Sequence, residues 1–204
     1  MKKLLLSFII ALLVLSPASA KQRLLGSVQL LLANGRARCT VFAINEEEKL
    51  WATAKHCLIG YDLKLETEPS YSIGGGYAHP IYAAPAPDDV AILKAELAGR
   101  ALELAKEAPE LAEQVRIVGH PYGLPQLVIT EGIIAAKNVP LSPKVPISDI
   151  LDVTVAGGNS GSPVLDKRGK VVGLLWGKFT RSNHSLSVPW ETLKKLVGEY
   201  FDER

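Results

Sequence analysis

Short apolar runs separated by turn residues make up most of the chain and predict β-strands. Turn-forming residues, among them Asn34-Gly35 and Gly74-Gly75-Gly76, stand between these runs. Runs of roughly four to eight residues bounded in this way are typical of strands rather than helices. The predicted strands are residues 27–33, 38–44, 50–54, 90–93, 115–118, 127–134, 163–165 and 170–176. The pattern therefore indicates a mainly β protein.

Two segments depart from this pattern. Residues 96–113 are rich in Ala, Leu and Glu and contain Pro109, so we predict a partly helical connector between two halves of the chain. After Pro189, apolar residues recur at the spacing of one helix face, which predicts an amphipathic C-terminal helix over about 189–202. The apolar residues of that face are Trp190, Leu193, Leu196, Val197, Tyr200 and Phe201.

Residues 1–20 have the pattern of a cleavable secretory signal peptide. Lys2 and Lys3 precede an apolar run from Leu4 to Leu15, and small residues follow up to Ala20. A membrane anchor is the alternative, but about 20 apolar residues are usually needed to span a bilayer and this run is shorter. We therefore expect a secreted or periplasmic protein with no stable membrane span once the signal is removed.

Charge and cysteine content limit the classes of binding partner and indicate the redox environment of the protein. Without residues 1–20 the chain carries 21 basic and 21 acidic residues, a balance that argues against nucleic acid as a partner. Its two cysteines, Cys39 and Cys57, are expected to form a disulfide outside the cytoplasm. Zinc held by His56 and Cys57 is a weaker alternative, because adjacent ligands strain tetrahedral geometry and no second spaced pair follows. Cys57 as a catalytic nucleophile is also a weaker alternative, because outside the cytoplasm it is expected to be paired with Cys39. We expect neither a metal nor another cofactor.

A glycine-rich turn, GGNSGSP at residues 157–163, presents one serine immediately before an apolar run. Backbone N–H groups in such a turn can point into one concavity and hold a negatively charged oxygen. Ser160 is therefore a candidate nucleophile, and it needs a histidine base oriented by a carboxylate. His56 follows the apolar run 50–54, and Asp88 and Asp89 both precede the run 90–93.

Three motifs in this order resemble those of the chymotrypsin-fold, or trypsin-like, serine peptidases. They are TAKHC at residues 53–57, DVAIL at 89–93 and GNSGSP at 158–163. A further motif, GHPYGL at 119–124, most resembles the bacterial HtrA and V8-type branch of the family. The resemblance implies an all-β fold of two antiparallel six-stranded β-barrels with a C-terminal α-helix. It places the first barrel at about 21–95 and the second at about 112–188, with the site in the cleft between them.

The resemblance also implies roles. His56, Asp89 and Ser160 would form the triad of a serine endopeptidase that works through an acyl-enzyme, and the N–H groups of Gly158 and Ser160 would form the oxyanion hole. Asp88, one position earlier in the chain, is the alternative to Asp89 as the acid of the triad. The rival function is a binding protein that keeps the fold without activity. Such proteins normally lose a member of the triad, and none is lost here.

Departures from the family pattern bear on maturation and substrate choice. Asn159 stands where animal digestive members carry an aspartate, so we expect no activation by zymogen cleavage. We also expect no peptide-binding domain of the kind that usually follows in HtrA enzymes. Protein or peptide substrates would be held by Thr154, Val155, Leu175, Trp176 and Gly177.

The character of these positions predicts a preference for small to medium apolar residues before the cut. Trypsin-type enzymes place an aspartate at the position of Thr154, and glutamate-specific V8-type enzymes place a histidine at that of Leu175. Neither charged group is present. Lys178 nearby keeps open the alternative that an acidic residue is attracted from the rim.

Overall fold

The computed structural model describes residues 20–58 and 70–201. Residues 1–19 of the predicted signal peptide, and the last residue of the predicted C-terminal helix, lie outside the described residues. The described part begins with a short helix that the sequence did not predict, α1 (Ala20–Ser27), and continues into twelve strands and a C-terminal helix. None of the helices in this part is both long and apolar enough to cross a membrane.

Six strands of the first half close into an antiparallel barrel in the order β1-β2-β3-β6-β5-β4. Its interior is filled by large apolar side chains such as Phe42 and Trp51, both fully buried. Because the last strand in this order pairs with the first, the barrel leaves no open edge. The strands are β1 (Val28–Ala33), β2 (Arg36–Asn45), β3 (Leu50–Thr53), β4 (Tyr71–Ile73), β5 (Gly76–Ala83) and β6 (Ala91–Ala95).

The second half repeats this arrangement in the order β10-β11-β12-β9-β8-β7. Its core is smaller and consists mainly of Val, Ile and Leu side chains. The strands are β7 (Gln114–Gly119), β8 (Val128–Val139), β9 (Ser148–Asp152), β10 (Pro163–Leu165), β11 (Val171–Lys178) and β12 (His184–Pro189).

The C-terminal helix α2 (Trp190–Phe201) follows the second barrel and packs against both barrels, contacting β11 and β12 of the second and β2 of the first. Leu193 and Val197, four residues apart, are fully buried on its inner face. At its end the ring of Phe201 lies 6.3 Å from that of Phe42 in β2. The predicted fold class, two six-stranded antiparallel barrels with a C-terminal helix, is therefore confirmed.

Four strands were missed by the sequence pattern: β4, β5, β9 and β12. Strand β12 shows why. Ser185 and Ser187 alternate with apolar residues, yet both serines are buried, because this strand is covered on both faces. At Gly173 in the neighbouring strand, an added Cβ would lie 3.0 Å from Val188 O and 3.2 Å from the Ser187 hydroxyl, so there is little space beside the serine. A buried face built from serine does not show as an apolar run.

The prediction of a partly helical connector over 96–113 is wrong, because the segment contains no helix. Its backbone bonds to strands of both barrels instead. Leu102 N–H donates to Ala43 O at 2.9 Å, and Ala105 N–H donates to Val171 O at the same distance. A helix would use these N–H groups internally, and so the tertiary partners override the local helix propensity.

A disulfide joins Cys39 in β2 to Cys57 in the 3₁₀ turn Lys55–Cys57. Both cysteines are buried, and the bond closes a loop across a sequence separation of 18. The turn that carries His56 is thereby tied covalently to the wall of the first barrel.

Replacing both cysteines, Cys39→Ala with Cys57→Ala, should lower the free energy of unfolding by about 3 kcal/mol, because the unfolded chain regains the freedom of the open loop. Denaturant titration of the two proteins measures the difference. A thiol reductant should destabilise the unaltered protein by a similar amount and leave the double variant unchanged. Equal denaturation midpoints for oxidised and reduced protein would show that the bond adds nothing to the fold.

Candidate active site

His56 lies on the 3₁₀ turn that follows β3, at the mouth of the first barrel. The turn is formed by the hydrogen bond from Cys57 N–H to Ala54 O, 3.1 Å. It is held from both sides, because the Lys55 ammonium donates to Ala84 O at 2.7 Å and the disulfide anchors Cys57. These contacts leave the imidazole of His56 about half exposed, with 48% of its side chain accessible.

Asp89 holds His56 by both carboxylate oxygens. Oδ1 accepts the backbone N–H of His56 at 2.8 Å, and Oδ2 lies 2.6 Å from the ring atom Nδ1. Because a carboxylate accepts, Nδ1 carries the proton and Nε2 is left to act as a base. The Asp89 side chain is only 12% exposed. Asp88 has no such contact with the histidine, and its backbone N–H bonds to Pro85 O.

The serine turn between β9 and β10 depends on two glycines with positive φ. Gly158 has φ 96° and Gly161 has φ 85°. An added Cβ would lie 2.5 Å from His120 O at the first position and 2.2 Å from Thr40 O at the second. Space as well as backbone conformation therefore excludes larger residues on both sides of Ser160.

Backbone hydrogen bonds seat this turn between the two barrels. Gly161 N–H donates to Leu175 O at 2.7 Å within the second barrel. Thr40 N–H, in β2 of the first barrel, donates to Ser160 O at 2.9 Å. The serine is thus bonded to the barrel that carries His56 and Asp89.

The Ser160 hydroxyl donates to Trp176 O at 3.4 Å. Within residues 20–58 and 70–201, no hydrogen bond joins it to His56. Both residues nevertheless border one sulfur atom: Cys57 Sγ lies 4.0 Å from His56 Nε2 and 3.9 Å from Ser160 O. The disulfide sulfur carries no proton, so these are contacts rather than hydrogen bonds. The structure therefore brings the three predicted triad residues to one place.

The two predicted oxyanion donors lie in the same turn. In the part of the chain that the structure describes, the N–H groups of Gly158 and Ser160 make no hydrogen bond to another residue. The N–H of Asn159, which lies between them, bonds back to Ala156 O at 3.2 Å. The donors on either side are therefore free for a ligand.

The predicted substrate residues occupy two walls beside the serine. Thr154 is exposed and Val155 half-buried, and the exposed Lys178 ammonium donates to Val155 O at 3.5 Å. Strand β11 has a register shift around Trp176, which turns the backbone carbonyl of Trp176 out of the sheet toward Ser160.

Leu175 is placed differently from Trp176 and Gly177, which follow it in β11. Its side chain is 1% exposed and belongs to the core of the second barrel. Its backbone is also engaged, because Leu175 N–H donates to Ser162 O at 2.9 Å and its carbonyl accepts from Gly161. Leu175 braces the serine turn, whereas Trp176 and Gly177 border the cleft.

Thr40 and His120 were not identified from the sequence as parts of this region, and both are buried. The Thr40 hydroxyl accepts His120 N–H at 2.9 Å and donates to Gly158 O at 2.9 Å. His120 Nδ1 donates to Leu124 O at 2.8 Å. Burial lowers the pKa of His120. His120 lies within the motif at 119–124 and Thr40 follows Cys39, but no sequence pattern marks a hydroxyl that bridges two barrels.

Cys39, His56 and Cys57 lie close enough together to suggest a metal cluster. The two sulfurs are bonded to each other, however, and a metal requires the thiolate form of cysteine. The cluster is therefore a disulfide beside a histidine and does not fit a zinc ion.

Named relatives match about half of this chain. A probable periplasmic serine endoprotease DegP-like of Ectopseudomonas mendocina (strain ymp) is 38% identical over 111 residues, which cover 50% of this chain and 23% of that protein. Protease Do-like 5, chloroplastic, of Arabidopsis thaliana is 30% identical over 126 residues, 54% of this chain and 38% of that protein. The chain thus spans well under half the length of these relatives.

Solved structures with a similar fold include Rv3671c protease from M. tuberculosis. Its active form has a TM-score of 0.67 at 18% sequence identity, and the match covers 88% of this chain and 82% of that one. Its inactive form also has a TM-score of 0.67, at 20% identity, covering 86% and 89%. At such identities the likeness concerns the fold.

The family described as trypsin-like peptidase domain matches residues 39–174. This range runs from Cys39 in the first barrel to Leu174 in the second and contains His56, Asp89 and Ser160. The match covers well over half of the chain and agrees with the double barrel and with the protease relatives. The chain therefore belongs to the trypsin-like peptidase domain family.

Proposed function

We propose that this protein is an exported endopeptidase that cleaves peptide bonds with Ser160, His56 and Asp89. The observation that carries the proposal is the double hydrogen bond from His56 to Asp89, which fixes both the ring and its tautomer. A histidine held in this way beside a serine on a glycine-rich turn is the arrangement that activates a hydroxyl nucleophile.

The proposed reaction begins when the Ser160 hydroxyl attacks the carbonyl carbon of the scissile bond. His56 Nε2 takes the hydroxyl proton and then gives it to the amine of the scissile bond. The amine departs, and the acyl group remains bonded to Ser160 as an acyl-enzyme. Water repeats these steps and releases the acid. For this reaction to begin, the Ser160 hydroxyl must turn away from Trp176 O and toward His56 by rotation about the Cα–Cβ bond of Ser160. Catalytic hydrogen bonds often tighten only once substrate is bound.

The carbonyl oxygen becomes negative in the tetrahedral intermediate, and we assign its stabilisation to the N–H groups of Gly158 and Ser160. The turn that carries them is fixed by the backbone bonds from Asn159 N–H to Ala156 O and from Gly161 N–H to Leu175 O, so they need not reorganise as charge develops. Removing one such donor typically costs about 3–4 kcal/mol of transition-state stabilisation.

Substrate would lie between Thr154 and Val155 on one side and Trp176 and Gly177 on the other. The walls offer no carboxylate to a basic side chain, so apolar contact is the main discriminator. One methylene is then worth about 1–3 kcal/mol. We infer a broad preference for small to medium apolar residues before the cut.

Export to the periplasm or beyond is supported by the signal pattern of residues 1–20 and by the disulfide, a bond that persists in oxidising compartments. The relative from E. mendocina is itself named a probable periplasmic endoprotease. The substrates we propose are proteins or peptides that share this compartment.

A fluorophosphonate probe should label the folded protein on Ser160, and the Ser160→Ala variant should not be labelled. The reagent reacts only with a serine that a base activates, so it distinguishes an enzyme from a silent binding protein of the same fold. Labelling is read by mass spectrometry of the modified peptide, with heat-unfolded protein as the control. Folded protein that stays unlabelled would favour the binding protein.

Changing Asp89→Asn should lower kcat by on the order of 10⁴, because the amide no longer selects the tautomer in which Nε2 is the base. Asp88→Asn is the matched control and should leave kcat nearly unchanged, since its side chain does not hold His56. Both are measured by steady-state hydrolysis of a peptide substrate. The reverse order of effects would move the acid to Asp88.

Digestion of a mixed peptide library, read by mass spectrometry, should show cleavage mainly after Ala, Val and Leu. The Lys178→Met variant should keep this preference, because the ammonium lies at the rim rather than in the pocket. Dominant cleavage after Glu that disappears in Lys178→Met would show that the rim lysine selects the substrate instead.

A further inference from the structure

The peptide group that carries the Gly158 N–H is held from behind. Its carbonyl, Gly157 O, accepts the backbone N–H of Tyr122 at 2.5 Å. In a trans peptide the C=O and N–H point in opposite directions. A bond that draws Gly157 O toward Tyr122 therefore directs the Gly158 N–H the other way. A flip of this one peptide would remove the donor from the cleft.

Tyr122 belongs to the turn Pro121–Gly123, whose conformation is unusual. Tyr122 has φ 57°, although it is not glycine, and its side chain is 82% exposed. The ring therefore contributes little packing to hold it. The turn is kept by its own hydrogen bonds, Gly123 N–H to His120 O at 3.2 Å and Leu124 N–H to Pro121 O at 3.0 Å. Such a strained residue persists only where its surroundings fix it.

The hydroxyl of Thr40 links this turn to the serine turn. It accepts the N–H of His120, which precedes Pro121, and it donates to the carbonyl of Gly158, both at 2.9 Å. Thr40 is fully buried, so water cannot replace these bonds freely. The Thr53 hydroxyl in turn holds Thr40 O at 2.8 Å. One side chain of the first barrel thus sets the spacing of two turns of the second.

We propose that Thr40 and the turn Pro121–Gly123 are positioning elements that aim the Gly158 N–H into the oxyanion hole. Gly158 is held on both sides: Tyr122 fixes the peptide before it, and Thr40 fixes the one after it. This proposal rests on the proposed function, because it assumes that an oxyanion forms beside Ser160. It assigns no contact between substrate and Thr40 or Tyr122.

The contact around Gly158 is close enough for a small change to be felt. An added Cβ at Gly158 would lie 2.5 Å from His120 O, 3.0 Å from Tyr122 N and 3.1 Å from Gly123 N. The serine turn therefore lies directly on the backbone of residues 120–123. Without the Thr40 hydroxyl, the buried His120 N–H and Gly158 O both lose a partner, and relief requires one of the two turns to shift.

The test compares Thr40→Val, which has the same shape without the hydroxyl, with Thr40→Ser, which keeps it. Thr40→Val should lower kcat by about 10²-fold or more, the effect of losing one oxyanion donor, with KM within about threefold. Thr40→Ser should retain kcat within a few-fold. Thr130→Val in β8 is the matched control. It makes the same substitution at a buried hydroxyl that has no hydrogen-bond partner among the described residues.

A peptide boronic acid, which forms a tetrahedral adduct with an active serine, gives a second readout. Its affinity should fall in Thr40→Val in proportion to kcat/KM, whereas the affinity for a cleavage-product peptide should not change. A purely structural role for Thr40 would lower both affinities or neither. If Thr40→Val does not fold, an ester in place of the Pro121–Tyr122 amide, which removes the Tyr122 N–H, should give the same loss of kcat.

The possible results distinguish a failure of the positioning role from a failure of the proposed endopeptidase function. If fluorophosphonate fails to label the unaltered protein, the endopeptidase assignment fails first. If the unaltered protein is labelled and folded Thr40→Val keeps its kcat, or changes only KM, the positioning role is overturned while the endopeptidase assignment stands. Loss of kcat in Thr40→Ser equal to that in Thr40→Val would also overturn it, because the hydroxyl is retained.

Discussion

The contact between Thr40 and the serine turn is the constraint on which the rest of the cleft depends. Each barrel is closed by its own strand pairing, and neither needs the other to satisfy its sheet hydrogen bonds. The candidate residues, however, are divided between them: His56 and Asp89 on the first and Ser160 on the second. A shift of one barrel by about 1 Å would separate the proposed base from the proposed nucleophile. The bond from Thr40 N–H to Ser160 O prevents that shift at the point where it matters.

Other contacts hold the barrels together at a distance from the cleft. The extended connector bonds through Leu102 to the first barrel and through Ala105 to the second. The indole N–H of Trp190, at the start of α2, donates to Ala105 O at 2.8 Å. From there α2 returns to the first barrel, where Leu193 and Val197 are buried. The chain thus crosses the interface twice, and the two crossings are bonded to each other.

The same residues show where local sequence patterns lose their predictive value. The connector is rich in residues that favour helix, yet the N–H groups of Leu102 and Ala105 are used by strands more than 50 positions away in the chain. Strand β12 alternates serine with apolar residues as an exposed strand would, yet it is enclosed. In both cases distant partners determine the conformation, and a local window of sequence does not contain them.

The sequence by itself determined the fold class and the motifs that contain the candidate residues. Apolar runs between turn residues require strands, and the order of three short motifs indicates the double barrel. Only the tertiary structure decided which aspartate holds His56, that Leu175 faces the core, and that Thr40 joins the two turns. These are distances between residues far apart in the chain. A motif records which chemistry is present, whereas hydrogen-bond partners across an interface exist only once both barrels are packed.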